Sequence, residues 1–338
     1  MNNYPYNPYG YNPQQYQEEY RRIQVNSREK REFRKRSMLI ALGIILFVLI
    51  STILWFILAR AKGLSELYSA NNTFSLSIDI LLTVASLFGA YLIVRLLLDR
   101  KHEGFIPLAL PENKKHALLL IPFGVLSCLA GAYLTSYMNT ALEEVFDVSF
   151  TMPDLPEPKT PVELLLYLTS CVFVPCVFEE IALRAGALQA MRKYGDWFAI
   201  VSSAFVFAIL HGNMVQTPFA FIAGIAIGYV YVVTGSIWPG VAIHFINNFA
   251  SCITSFGSVF SISEDATNLI YAIYIGVFVV AGTVCFIIYV FDKKKPTLNK
   301  DTTSLKLSQK LTGFVFNIPM IIALLYMGFV TSQYIKWN

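Results

Sequence analysis

Apolar segments of about 20 residues recur along the whole sequence and constrain its fold more than any other feature. About 20 helical residues cross the hydrocarbon core of a bilayer, which is about 30 Å thick. Nine such segments are found, at about 37–59, 75–98, 116–137, 162–190, 197–214, 217–235, 238–258, 268–291 and 313–335. Only 14% of the 338 residues are charged, against about 25% in soluble domains. We therefore predict an all-α polytopic membrane protein with about eight to nine transmembrane helices.

The distribution of positive charge predicts the orientation of the chain. Lys and Arg residues concentrate in the N-terminal tail and in the segments 99–115, 191–196 and 292–312. Segments rich in these residues remain on the cytoplasmic side of a membrane. Nine spans place all of them on one side when the N-terminus is cytoplasmic. We therefore expect a multi-pass protein of the cell membrane that contacts the lipid bilayer and has no nucleic-acid partner.

The spans divide the chain into four parts. Residues 1–36 form a tail, whose first 20 residues are rich in Tyr, Asn, Pro and Gln and are predicted to be disordered. The rest of this tail is a basic cytoplasmic segment. Residues 37–158 are accessory transmembrane helices, residues 159–260 are a core that carries most of the polar intramembrane residues, and residues 261–338 are C-terminal transmembrane helices.

Three charged residues lie inside the apolar segment 171–186, namely Glu179, Glu180 and Arg184. Each charge near the centre of a transmembrane helix costs roughly 2.5 to 3.5 kcal/mol on insertion scales. Glu180 and Arg184 are four residues apart, so they share a helix face and can form an ion pair. Glu179 is rotated by about 100° from Glu180. We therefore predict that Glu179 faces an intramembrane polar cavity surrounded by the helices.

Two of the four histidines, His211 and His244, also lie in predicted spans. Phe207 precedes His211 by four residues and is expected to support its ring. Asn248 follows His244 by four residues, so the two side chains face the same way and offer donors for an oxyanion. Together with Glu179, these groups fit peptide hydrolysis by an activated water molecule. The set of Glu179, His211 and His244 could alternatively ligate a metal, with zinc as the candidate.

These residues form three motifs in a fixed order, and at them the sequence resembles a known family. The motifs are Glu179-Glu180-x-x-x-Arg184, Phe207-x-x-x-His211 and His244-x-x-x-Asn248. The chain is similar here to the CPBP intramembrane proteases, which include the type II CAAX prenyl endopeptidases and the Abi, or bacteriocin-immunity, proteins. The resemblance covers about residues 160–260 and leaves the first three spans and the last outside it.

The resemblance implies an endopeptidase that cuts a membrane-associated protein or peptide. Glu179 would be the general base that activates water, and His211 would help to position that water. His244 and Asn248 would hold the oxyanion. The supporting residues would be Glu180, Arg184 and Phe207. The family leaves both a metal-free glutamate mechanism and a metal-dependent mechanism open.

Two other classes of function remain open from the sequence. Buried Glu, Arg and His residues also mark ion pathways, as in a transporter or proton relay. A non-catalytic membrane adaptor or immunity protein of the same fold could act through the Tyr-rich tail or the basic loops. Loss of cleavage in a Glu179→Gln variant favours the protease, Glu179-dependent ion flux favours the relay, and sensitivity to deletion of residues 1–36 favours the adaptor.

Overall fold

The computed structural model describes residues 13–98, 108–153 and 156–337, and it is an assembly of helices with one small sheet. The first six helices are α1 Pro13–Arg60, α2 Lys62–Ala70, α3 Asn72–Leu97, α4 Lys114–Phe146, α5 Pro161–Tyr194 and α6 Asp196–Leu210. The other six are α7 Thr217–Thr234, α8 Trp238–Ser251, α9 Ile253–Phe260, α10 Glu264–Phe291, α11 Leu307–Val315 and α12 Ile318–Ser332. Strands β1 (Val148–Phe150) and β2 (Ile335–Trp337) pair antiparallel, with Ser149 opposite Lys336.

The all-α polytopic prediction is confirmed, but the number of long spans is lower than predicted. Within the described ranges, six helices are long and apolar enough to cross a membrane: α1, α3, α4, α5, α7 and α10. The count is seven if α11 and α12, which meet at an angle of 61°, form one bent span. The difference from eight or nine arises because α6 has 15 residues and α8 has 14. The segment predicted as a span over 238–258 is interrupted at Cys252, between α8 and α9.

Three basic segments, in the N-terminal part of α1 and over residues 191–196 and 292–312, lie together on one face of the helix assembly, which we call the basic face. Lys193 at the end of α5 pairs with Glu32 of α1 at 2.8 Å. The backbone N–H of Asp196 donates to the carbonyl of Asn299 in the loop between α10 and α11. The far ends of the helices meet on the opposite face, where the N–H of Thr151 donates to the carbonyl of Tyr334. This arrangement agrees with the clustering of charge that the loops predict.

The N-terminal tail is more ordered than predicted. Helix α1 begins at Pro13, so residues 13–20 of the expected disordered tail and the whole basic segment are helical; residues 1–12 lie outside the described ranges. No Gly or Pro follows Pro13 until Gly43, and Gln, Glu, Arg and Lys are good helix formers. The extension is held by tertiary contacts, because Phe33 is buried and its ring packs edge-on against Tyr194 at 4.7 Å.

Helix α7 lies between the two apolar clusters of the molecule and positions the helices of the site. Ala220 and Tyr231 belong to a cluster with α1, α5 and α6, whereas Ala223 and Ile227 pack with α4 and α8. Gly224 and Gly228 permit a close approach of α7 to α6. A Cβ at Gly224 would lie 2.9 Å from the Cα of Ala204.

Candidate active site

Helix α5 carries the acidic pair and departs from α-helical geometry on both sides of it. Regular α-helix over Val174–Glu180 is flanked by π-helical turns at Thr169–Phe173 and Ile181–Leu188. Pro175 has no N–H, so it cannot provide the usual donor for the carbonyl of Cys171 four residues earlier. The side-chain amide of Asn248 donates to that carbonyl instead, at 3.0 Å. A side chain of α8 thereby holds the irregular part of α5.

Glu180 and Arg184 form the ion pair that their spacing predicts. Arg184 Nε lies 3.1 Å from Glu180 Oε2, and neither side chain is exposed. Arg184 Nη1 also donates to the hydroxyl of Ser203 on α6 at 3.3 Å, and that hydroxyl donates to the carbonyl of Leu183. The guanidinium lies over the ring of Phe207, 5.4 Å from its centre. The pair therefore joins α5 to α6 in the interior.

His244 lies between the two carboxylates. Its Nδ1 is 3.4 Å from Glu180 Oε1, and its Nε2 is 3.8 Å from Glu179 Oε2. The Glu179 side chain is 25% exposed, whereas that of Glu180 is fully buried. The adjacent carboxylates therefore differ in environment, and Glu179 is the one that faces open space.

The contact between α5 and α8 requires that α8 begin close to the acidic pair. Its first turn contains Gly240, at which a Cβ would lie 3.1 Å from Glu180 Oε2 and 2.9 Å from Ile227 Cγ2. The start of α8 is fixed to the segment before α4, since the indole N–H of Trp238, the first residue of α8, donates to the carbonyl of Leu108. Helix α8 is therefore recessed into the assembly. This explains how His244, only about 9 Å along its helix, reaches residues in the middle of α5.

His211 is the remaining residue of the candidate site, and its ring is held by a hydrogen bond to the preceding turn of α6. Its Nδ1 lies 2.9 Å from the carbonyl oxygen of Phe207. Because a carbonyl only accepts, Nδ1 carries the hydrogen and Nε2 of the neutral ring is an acceptor. The Phe207 ring packs edge-on against both His211 and His244, at 4.9 and 5.8 Å. Phe207 therefore has the supporting position expected from its spacing.

These side chains share one cavity of about 540 Å³. Its wall includes all four residues predicted to be catalytic, with Phe207 and Asn247 beside them. The cavity extends from Glu179 past Tyr167 to Met152 and Pro153, which follow β1 on the opposite face. A second cavity of about 420 Å³ shares Phe219, Asn247 and Ser251 with it. The constellation is thus buried among helices and lies beside space that an extended chain can occupy.

Three contributors to this site lack an obvious signal in the sequence. Ser203 and Gly240 are small residues inside apolar helices, and only their contacts with Arg184 and Glu180 distinguish them. Asn247 donates to the Asn248 side chain at 3.2 Å. Its position beside Asn248 was the only indication available, and the helical rotation of about 100° between neighbours argued against it.

The geometry does not fit the metal-site alternative. In the described ranges, no three His, Cys, Asp or Glu side chains are grouped so that they could hold a metal ion. Glu179 and His244 are adjacent, but His211 does not complete a ligand set with them in this arrangement. Nitrogen and oxygen ligands bind zinc at about 2.0–2.2 Å in near-tetrahedral geometry, and these three side chains are not arranged in that way.

Comparison with known proteins places the central part of the chain in a family. Residues 161–250, from the start of α5 to near the end of α8, match the family described as "Rce1-like: Type II CAAX prenyl endopeptidase Rce1-like". No curated protein and no solved structure matches the chain. The matched segment contains all three motifs and the helices that bring them together. Residues 161–250 therefore form a domain of the Rce1-like, type II CAAX prenyl endopeptidase family within a multi-pass membrane protein.

Proposed function

We propose that this protein is an intramembrane endopeptidase in which Glu179 is the general base for hydrolysis by water. The observation that carries the proposal is the difference between the two adjacent carboxylates. Glu180 is buried against Arg184, whereas Glu179 is partly exposed to a cavity lined by His211, His244 and Asn248. A structural ion pair needs only the first of these carboxylates, so the second is available for chemistry.

In the proposed reaction, the Glu179 carboxylate accepts a proton from a water molecule in the cavity, and the resulting hydroxide attacks the peptide carbonyl. His211 accepts a hydrogen bond from that water through Nε2, because Nδ1 is engaged with the Phe207 carbonyl. The proton on Glu179 then passes to the leaving amine. General acid–base assistance of this kind contributes about 10² to 10⁴ in rate.

His244 and Asn248 stabilise the negative charge on the tetrahedral intermediate. For this role both ring nitrogens of His244 carry a hydrogen: Nδ1 donates to Glu180, and this contact directs the Nε2–H toward Glu179 and the cavity, where it can donate to the oxyanion. One N–H of the Asn248 amide donates to Cys171, and the second N–H of the same group is available for the oxyanion. Two donors fixed by the surrounding helices need no reorganisation during the reaction.

The shape of the cavity supports a polypeptide substrate that reaches the site from the opposite face. Met152 and Pro153 border the cavity at that face, and the second cavity continues between α4 and α10. With the N-terminus in the cytoplasm, this is the outer side of the cell membrane. The substrate class is then a membrane-associated protein or peptide with an exported segment near its cleavage site. We propose a metal-free mechanism, because the donor groups do not form a metal site.

The proposal is tested by comparing the termini of membrane proteins in cells that express wild type or Glu179→Gln at matched levels. A Glu264→Gln variant is the control, because Glu264 is an exposed carboxylate at the start of α10. Cleaved ends that are present with wild type and control but absent with Glu179→Gln support the protease and identify its substrate. Cleaved ends that persist with Glu179→Gln contradict it. Deletion of residues 1–36 tests the adaptor alternative. An effect of this deletion that does not require Glu179 supports the adaptor, whereas an effect that requires Glu179 supports the protease.

A further inference from the structure

Two adjacent cavities, which share Leu98 in their walls, lie away from the candidate active site, and the first of them is at the basic face. The first, which we call the basic cleft, has a volume of about 750 Å³ and lies between the N-terminal part of α1 and the end of α5. Six cationic side chains line it: Arg28, Arg31, Lys35, Arg36, Arg192 and Lys193. Glu32 is the one carboxylate among its lining residues in the described part of the chain. The cleft therefore has a large excess of positive charge.

Part of this charge is already used by the protein and part faces the cleft. Glu32 pairs with Lys193 at 2.8 Å and with Arg36 at 3.3 Å. Arg192 pairs with Asp196 at 2.9 Å. Arg28, Arg31 and Lys35 are exposed along the neighbouring turns of α1. Their spacing of three and four residues places them on one helix face, so they present a row of donors to an anion in the cleft.

The second cavity, which we call the apolar slot, continues from the cleft between α1, α3 and α5. Leu98 borders both cavities, and Leu39 in the cleft is followed directly by Ile40 in the slot. The slot follows α1 from Ile40 to Phe47, a distance of about 10 Å. Its volume of about 70 Å³ corresponds to roughly two to three groups of the size of a water molecule, so it holds a short part of one narrow chain.

Small residues keep the slot open. A Cβ at Gly43 would lie 3.3 Å from Val94 Cγ2, and a Cβ at Gly186 would lie 3.4 Å from the ring of Tyr91. Arg95 lies among the slot residues, close in sequence to Leu98 at the junction with the cleft. The combined groove thus has a cationic mouth and an apolar stem. The positive-inside rule explains why basic residues lie near the cytoplasmic surface of a membrane, but it does not require that they line a groove with an apolar stem.

We propose that this groove binds one anionic phospholipid, with its phosphate headgroup in the basic cleft and the first part of one acyl chain in the apolar slot. The cationic side chains of the cleft favour an anionic headgroup. The apolar slot beside them favours a lipid over a free phosphate, because only a lipid has an apolar chain to place there. Leu183 and Gly186 of the slot belong to the π-helical turn that carries Arg184. The bound chain therefore packs on the segment that supports Glu180 and fixes its position.

Binding is measured on the purified full chain in a neutral detergent, by native mass spectrometry and by thermal unfolding. The probes are dioctanoyl phosphatidylglycerol, dioctanoyl phosphatidylcholine and inorganic phosphate; the eight-carbon chains match the length of the slot. We expect the anionic lipid to be retained and to raise the Tm, and the other two probes to have at least about tenfold weaker effects. Equal effects of the two lipids, or an equal effect of phosphate, would overturn the proposal.

Matched charge variants test the location of the site. Arg28→Gln/Arg31→Gln/Lys35→Gln removes three exposed charges of the cleft, and Lys293→Gln/Lys294→Gln/Lys300→Gln removes three exposed charges elsewhere on the basic face. Each basic side chain near an anionic lipid surface strengthens binding of that lipid. We expect the cleft variant to bind phosphatidylglycerol at least about tenfold more weakly than the control variant. Equal binding by the two variants would place the lipid elsewhere and contradict the proposal.

Discussion

At the scale of single residues, two adjacent carboxylates of α5 lie in different environments. Glu179 and Glu180 are neighbours in sequence, but helical rotation sends one to the cavity and the other to Arg184. The buried pair has little capacity for chemistry because each group is neutralised by the other. Its role is to hold α5, and through Ser203 α6, in fixed positions beside His244.

Arg184→Gln is expected to destabilise the protein strongly. The substitution leaves the Glu180 carboxylate buried without a cation, and removal of one partner from a buried pair costs about 3 to 5 kcal/mol. Thermal unfolding in detergent measures the loss. Lys115→Gln is the control, since Lys115 is 63% exposed and pairs with Asp292; exposed pairs contribute at most about 1 kcal/mol. A similar Tm for the two variants would contradict a structural role for Arg184.

The pairing of Glu180 with Arg184 and the exposure of Glu179 followed from the sequence, because both depend only on residue spacing within one helix. The positions of Phe207 and His211 followed for the same reason. The bond from Asn248 to Cys171 could not be predicted, because it depends on where α8 meets α5 and on a π-helical turn. Sequence reasoning assigned the Asn248 amide to an oxyanion alone, and that assignment remains a prediction.

At the scale of secondary-structure elements, Pro175 and Asn248 form a compensating pair between two helices. Pro175 removes the backbone donor for Cys171, and Asn248 replaces it. The Cys171 carbonyl in the irregular turn is thereby hydrogen-bonded by a side chain of α8. π-helical turns often occur at functional sites, and here one ends six residues before Glu179, the proposed general base.

A double-mutant cycle tests this compensation. Asn248→Ala alone leaves the Cys171 carbonyl without its donor and should cost about 1 to 3 kcal/mol of stability. In a Pro175→Ala background, the new backbone N–H at position 175 can donate to the same carbonyl, so the cost of Asn248→Ala should fall by at least half. Unfolding of the four proteins measures the coupling. Additive effects would show that the two residues act independently.

The loop between α10 and α11 is held on the basic face by carboxylates and should loosen in acid. Burial raises the pKa of Asp301, but hydrogen bonds from Lys310 and Thr303 outweigh it and lower the pKa below its usual value. A hydrogen bond from Lys115, then one from the Lys294 N–H, lowers the pKa of Asp292. Groups with a depressed pKa stabilise the fold above their unfolded pKa and lose this contribution as the pH falls through the folded value.

Hydrogen exchange in residues 293–306, corrected for intrinsic rates, should therefore increase as the pH falls below about 4. Asp292→Asn/Asp301→Asn should show the faster exchange at neutral pH and little further change in acid. Two results would show that these carboxylates do not anchor the loop. One is hydrogen exchange that does not change with pH in wild type, and the other is exchange in the double variant that increases in acid as much as in wild type.

At the scale of the whole molecule, the candidate site and the basic face lie at different depths. The apolar pattern predicted the class of fold, because a bilayer imposes a minimum helix length. It overestimated the number of long spans, because α6 and α8 are short helices enclosed by longer ones. The ordered start of α1 was also missed, because its stability comes from contacts of Phe33 and Glu32 with distant residues.

The proposed orientation is tested by labelling single added cysteines in intact cells. A membrane-impermeant maleimide should label Met152→Cys, at the cavity mouth, before the membrane is opened. Lys293→Cys, on the basic face, should be labelled only afterwards; both native side chains are exposed. The unmodified chain gives the background from its five cysteines. The reverse pattern would place the cavity mouth in the cytoplasm and change the proposed class of substrate.

Hydrolysis by the purified chain, with a peptide spanning an identified cleavage site, is the most direct test of Glu179 as the general base. The measurement compares single-turnover rates of wild type and Glu179→Gln in ¹⁸O-labelled water, at equal folded fraction. We predict one ¹⁸O atom in the new carboxyl group and a rate for Glu179→Gln that is lower by at least about 10². A Glu179→Gln variant that cleaves the peptide as fast as wild type would contradict the mechanism.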